Sequence, residues 1–120
     1  MQPTPAPANP NQLQGNDETV GTGATAAAGD TITVNYVGAL TDGTVFDASA
    51  NHGSTGFTFQ LGAGQVIPGW DQGIVGMKVG GTRKLYIPAA LAYGSRGVGN
   101  VIPPNSPLVF EVQLVSIKGK

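Results

Sequence analysis

Few side chains in this 120-residue chain are equipped for covalent chemistry. It has no cysteine, which removes disulfides, thiolate metal sites and thiol nucleophiles together. Its one histidine, His52, stands between Asn51 and Gly53 in a polar stretch with no second ligand near it in sequence, so a surface role is favoured over metal binding. The run Gly94-Ser95-Arg96-Gly97-Val98-Gly99 tempts a phosphate-loop reading, but Asn100-Val101-Ile102-Pro103-Pro104 follows where a helix would have to start. A loop over the edge of a pocket fits it better. What stands out is VIPGWDQGIVGM, residues 66–77, which carries the only tryptophan, Trp70, on a stretch with three glycines and a proline. An indole there offers a flat apolar surface on which a ring could sit. Taken alone, such a tryptophan is more often ordinary core.

The elements that must hold Trp70 follow from hydrophobic period. Ile67, Trp70, Ile74 and Met77 recur at spacings of three, four and three, so they fall on one side of a short α-helix of about ten residues, with Pro68 in the first turn. A helix of that length is marginal alone and needs its apolar face covered. The cover is sheet. Ile32, Val34 and Tyr36 share one face of a strand while Thr31, Thr33 and Asn35 share the other. The same alternation runs through Phe57, Phe59 and Leu61, through Leu85 and Ile87, and through Leu108, Phe110, Val112 and Leu114. Asp42-Gly43 is a tight-turn signal between Thr31–Leu40 and Thr44–Asp47. The expected class is α+β, a curved antiparallel sheet of five or six strands wrapped around one short helix.

Composition bounds the rest. The chain is 40% hydrophobic and 11% charged, enough for one core, and 19 glycines and 9 prolines suit a turn-rich β protein. A net charge of −1 gives no electrostatic reason to bind nucleic acid or an anionic membrane surface. No apolar run approaches the ~18 residues of a membrane span. Residues 1–16, MQPTPAPANPNQLQGN, have the composition of an extended or disordered Pro-rich linker, which leaves 17–120 as the folded domain. A spacer of this kind is what would remain after removal of an export or lipid-anchor signal. That favours an exported or periplasmic location slightly over the cytoplasm.

Five segments in order, VNYVG (34–38), GTVFDAS (43–49), FTFQLGAGQVIPGWDQGIVGM (57–77), PAALAYGSRG (88–97) and VIPPNSPLVFEVQL (101–114), closely resemble the FKBP family of macrolide-binding peptidyl-prolyl cis-trans isomerases, as a single-domain, bacterial-like member. The resemblance covers roughly residues 18 to 118. It implies a pocket with Tyr36, Asp47, Ile67, Trp70, Tyr93 and Phe110 in catalytic roles and Phe46, Phe57, Val66, Val101 and Ile102 as substrate-binding residues. Trp70 would be its floor, with Ile67 N–H and the Tyr93 hydroxyl as donors to bound carbonyls, and Asp47 placed to orient Tyr36 or to meet a carbonyl carbon. Departures from the best-known vertebrate members lie at Val98, where those carry histidine, and at Val101-Ile102, where those carry paired isoleucines.

The implied chemistry needs no nucleophile, metal or cofactor, because rotation about an Xaa–Pro bond breaks no covalent bond. A water-poor aromatic bowl would favour the twisted, less dipolar amide over the planar one. The implied partners are proline-containing peptides or unfolded protein clients and macrolide inhibitors, met by a monomer. The residues also admit blander readings. Phe59, Leu61 and Leu114 belong to the core. Asp47, after a strand, could make only a turn hydrogen bond. Tyr36 could be an amphipathic strand residue and Tyr93-Gly94 a loop anchor. The alternative function is a non-enzymatic module that holds proline segments or macrolides without turnover.

Overall fold

Antiparallel pairing organises the chain. The structure, a computed structural model, describes residues 4, 7, 10–52 and 56–120, with the side chains of residues 51 and 52 outside that description. The reading of His52 as a surface side chain therefore lies outside the described residues. Six strands form one sheet: β1 (Gln14–Thr19), β2 (Thr31–Leu40), β3 (Val45–Ala48), β4 (Phe57–Gln60), β5 (Thr82–Ile87) and β6 (Leu108–Ile117). Their order is β1-β5-β6-β2-β3, and β4 also pairs with β2, so β3 and β4 divide one edge of β2 between them. One helix, α1 (Pro68–Gly73), lies between β4 and β5, and short 3₁₀ turns occupy Ser49–His52 and Ala89–Leu91.

Alternation accounts for β2 and β6. Ile32 and Val34 are fully buried, while Asn35 between them and Tyr36 is exposed. The Asp42-Gly43 turn closes as the sequence predicts: Gly43 takes a φ of 95°, and Thr44 N–H donates to Asp42 Oδ1 at 2.8 Å. Ile32, Val34, Leu61, Ile74, Leu85, Ile87, Leu108, Val112 and Leu114 form a dry core against α1. Phe59, Leu61 and Leu114 are buried in that core.

Helix α1 is shorter than its apolar spacing suggests. It ends at Gly73, where Ile74 N–H donates to the Trp70 carbonyl, and Gly76 turns the chain away at a φ of 92°. Ile74 and Met77 are still buried, but they reach the core from the turn after the helix. Arg83 Nη1 donates to the carbonyls of Gly73 and Val75 at 2.8 and 3.1 Å, which satisfies groups that a six-residue helix leaves open. Gly69 lets the helix sit directly on the sheet, since a Cβ there would stand 2.4 Å from Ile87 Cγ2.

Strand β1 has no counterpart in the sequence reading. Gln14, Gly15 and Asn16, assigned there to the linker of residues 1–16, pair with Tyr86, Leu85 and Lys84 of β5. The residues QGNDET carry no apolar alternation because this is an exposed edge strand. Backbone pairing holds it, with the Asp17–Arg83 ion pair at 2.6 Å.

Candidate active site

Trp70 lies at the base of a concavity of about 220 Å³. β2 supplies Tyr36, β3 Phe46 and Asp47, β4 Phe57, and β6 Phe110; Gln65, Val66 and Ile67 come from the loop before α1, and Tyr93 from the loop after β5. The indole is 4% exposed and ringed by aromatics. Its centroid lies 5.0 Å from Tyr36 and 5.2 Å from Phe110, both edge-to-face, and 5.7 Å from Phe59. Phe46 meets Phe110 edge-on at 5.6 Å. Contacts of this geometry are worth about 0.5–1.5 kcal/mol each beyond area burial, so the rings fix one another. Among the described residues the buried indole Nε1–H has no hydrogen-bond partner.

Polar groups on the wall are hydrogen-bonded to one another. Tyr36 Oη donates to Asp47 Oδ2 at 2.8 Å, and Asp47 Oδ1 accepts from Ala48 N–H at 2.9 Å. Burial first, then the hydrogen bond and charge of Asp47, push the Tyr36 hydroxyl far above the usual phenol value. Burial and the Asp47 charge also raise Tyr93, whose side chain stands at the mouth. Both hydroxyls therefore keep their protons at neutral pH. Ser49, which the sequence reading did not single out, steadies this wall: its Oγ accepts from Tyr36 N–H at 3.0 Å.

The loop leading into α1 is tied down from within the helix. Asp71 accepts Gly62 N–H at 2.8 Å and Gly64 N–H at 3.0 Å, one on each carboxylate oxygen. Gln65 Oε1 accepts Gln60 N–H at 2.9 Å. Between these anchors Val66 and Ile67 form one wall. The Ile67 carbonyl accepts Trp70 N–H at 3.0 Å, and among the described residues no backbone acceptor takes up the Ile67 N–H. Pro68 has no N–H to offer.

Nine of the sequence-predicted site residues thus converge: Tyr36, Phe46, Asp47, Phe57, Val66, Ile67, Trp70, Tyr93 and Phe110. Val101 and Ile102 do not line the concavity. Val98 and Ile102 exchange backbone hydrogen bonds at 2.8 and 3.1 Å, and this closed turn sends Ile102 into the core, 3% exposed, and leaves Val101 52% exposed. Besides Ser49, two further residues important to the site were missed as such. Gln65 is an ordinary polar loop residue in sequence. Gly38 leaves space that only the fold defines: a Cβ there would meet Phe110 Cε1 at 2.6 Å and Phe46 Cζ at 2.8 Å.

Residues 23–115 match the family model described as FKBP-type peptidyl-prolyl cis-trans isomerase. The chain belongs to this family. Among similar members, FK506-binding protein 2 of Yarrowia lipolytica is 60% identical over 92 residues, covering 77% of this chain and 63% of that protein. FK506-binding protein 1 of Dictyostelium discoideum is 54% identical over 98 residues, 82% of this chain and 91% of that one. The crystal structure of AtFKBP13 superposes with a TM-score of 0.81 at 44% identity, covering 87% of this chain and 91% of its own. The six-stranded sheet around one short helix is the architecture that this FKBP-type chain shares with that structure.

Proposed function

We propose that the bowl over Trp70 is where this prolyl isomerase binds an extended Xaa-Pro segment and eases rotation about its peptide bond. The proline ring sits on the indole face. Ile67 N–H and the Tyr93 hydroxyl hold flanking carbonyls, while Asp47, oriented by the Tyr36 hydroxyl, faces the reacting amide. Phe46, Phe57, Val66 and Phe110 keep water from it. The planar amide owes its barrier of about 18–20 kcal/mol to resonance. The twisted form loses that resonance and much of its dipole, so a dry aromatic wall penalises the planar ground state more than the transition state. Each tenfold of acceleration requires only about 1.4 kcal/mol of such preference.

The observation that carries this reading is the convergence of four rings and two protonated tyrosine hydroxyls on one concavity whose described lining holds no serine, threonine, lysine or histidine. Macrolide binding at the same bowl belongs to the proposal, supported by the names of the Yarrowia and Dictyostelium relatives. So do a monomeric state, supported by a bowl whose lining comes entirely from one chain, and an exported location, supported by the Pro-rich composition of residues 1–16.

The test is the cis-to-trans rate of a proline-containing peptide. The folded protein accelerates it, and Trp70→Leu removes most of the acceleration. A folded protein that leaves the uncatalysed rate unchanged refutes the proposal.

A further inference from the structure

One edge of β2 is broken beside Tyr36. The ladder with β3 runs from Ala39 to Val37, which pairs with Ala48, and the ladder with β4 starts at Val34, which pairs with Phe57. Asn35 and Tyr36 belong to neither. On its other edge Tyr36 pairs with Val112 of β6. Continuing the β3 register by one residue brings Ser49 opposite Tyr36, but there the chain leaves the strand for the 3₁₀ turn Ser49–His52.

The Ser49 side chain takes the place of the missing strand. Its Oγ accepts Tyr36 N–H at 3.0 Å and donates to the Tyr36 carbonyl at 3.4 Å, so one hydroxyl answers both backbone groups that a paired residue would have answered. A serine that opens a turn ordinarily hydrogen-bonds within that turn. Among the described residues Ser49 bonds to Tyr36 instead, and at 8% exposed it is the most deeply buried of their polar, non-aromatic side chains. Two positions earlier in the chain, Asp47 Oδ2 accepts the Tyr36 hydroxyl at 2.8 Å. The three residues from Asp47 to Ser49 therefore hold Tyr36 at both ends, the phenol through Asp47 and the backbone through Ser49.

We propose that Ser49 is a positioning residue for prolyl isomerisation: by fixing the Tyr36 backbone at the break in the sheet, it sets where the Tyr36 hydroxyl and the Asp47 carboxylate meet on the wall of the bowl. The inference rests on the bowl being the site of isomerisation. Ser49 is not among the residues that line the bowl, so it acts through Tyr36 and not on the peptide. A misplacement near 1 Å in a catalytic arrangement can cost on the order of 100-fold. Tyr36 freed on one edge is still held by β6 on the other, so the expected loss is smaller.

Steady-state kinetics on a proline-containing peptide test this. Ser49→Ala lowers kcat by roughly fivefold, the rate equivalent of one lost hydrogen bond, and leaves KM within about twofold. Ser49→Cys, whose thiol is a weak donor and acceptor, takes its place if Ser49→Ala does not fold, with a loss in the same direction. A double-mutant cycle with Tyr36→Phe separates positioning from a general loosening of the sheet. With no hydroxyl left to place, Ser49→Ala costs the Tyr36→Phe chain less than about 1.5-fold. The inference is overturned by an unchanged kcat, by a loss confined to KM, or by an equal loss in both backgrounds. Trp70→Leu measured in parallel tells the two readings apart. If it keeps its acceleration, the reading of the bowl falls and this inference with it; if it is inactive beside an unimpaired Ser49→Ala, only the role of Ser49 is overturned.

Discussion

Replacing Gly38 by alanine adds one methyl group beneath two rings of the bowl. Its Cβ would lie 2.6 Å from Phe110 Cε1 and 2.8 Å from Phe46 Cζ, whereas ordinary contact begins at 3.4 Å. The rings must therefore retreat by roughly 0.8 and 0.6 Å, and both belong to the wall of the concavity, so any retreat reshapes it. Phe110 is held edge-on against Trp70 at 5.2 Å and against Phe46 at 5.6 Å, so the displacement passes into the floor and the wall together. Overpacking of this kind costs about 1–3 kcal/mol of stability. In a domain of this size that lowers Tm by roughly 4–8 °C per kcal/mol. A misplacement near 1 Å in a catalytic arrangement can cost on the order of 100-fold. Gly38→Ala should thus reduce kcat/KM for a proline-containing peptide by about 10- to 100-fold. The assays are peptide isomerisation and thermal unfolding on the same preparation. Adding Phe46→Leu, which clears room above position 38, should restore stability more than it restores activity. A Gly38→Ala protein with unchanged Tm and unchanged kcat/KM would refute the claim that ring placement sets the activity.

Further outcomes follow from the polar wall and the anchors. Tyr36→Phe removes the donor to Asp47 and should lower kcat/KM by about tenfold, the effect of losing roughly 1.4 kcal/mol from the transition state, with little change in Tm. The Tyr36 hydroxyl has a folded value raised above its unfolded one, so its contribution is complete below the ordinary value of 10.0 and is lost as pH rises through the folded value. An alkaline decline in Tm that begins above pH 10 should therefore shrink in Tyr36→Phe. Asp71→Ala leaves the Gly62 and Gly64 N–H groups without their carboxylate, and should cost about 1 kcal/mol in denaturant unfolding while raising KM more than it lowers kcat. The Arg83 guanidinium holds Asp17 below its ordinary value of 3.8, chiefly by hydrogen bonding. This contribution is present above that value and lost as pH falls through the lower folded value, so the Tm difference between the unaltered chain and Asp17→Asn should shrink on acidification.

Much of this fold is legible in the chain because its central elements bury one face. Ile32 and Val34, and Leu108 to Leu114, alternate because β2 and β6 lie between core and solvent. Helix α1 announces itself through Pro68 and the Ile67–Trp70–Ile74 spacing, but its end does not. Ile74 and Met77 continue the apolar spacing from a turn that Gly76 creates, and burial alone does not distinguish a turn from another helical turn. β1 is illegible for the opposite reason: an exposed edge strand held by backbone bonds and polar side-chain contacts such as Asp17–Arg83 needs no apolar period. In the site, Trp70 and the surrounding rings can be named from the order of segments. Two neighbours in sequence, Val101 and Ile102, cannot be placed that way, since the hydrogen-bonded turn at Val98 sends one outward and the other into the core. Gly38 is the hardest to read, because its role is the room it leaves for residues 8 and 72 positions away.

The proposed mechanism is rotation of the Xaa–Pro bond in an aromatic hollow, with no bond made, broken or protonated along the way. Comparing kcat/KM for a proline-containing peptide in light and heavy water tests it most directly, since proton transfer in the transition state is slowed by deuterium and simple rotation is not. Equal rates in the two solvents are the predicted result. A clear slowing in heavy water, with binding unchanged, would mean that a proton moves in the transition state and would overturn rotation without proton transfer.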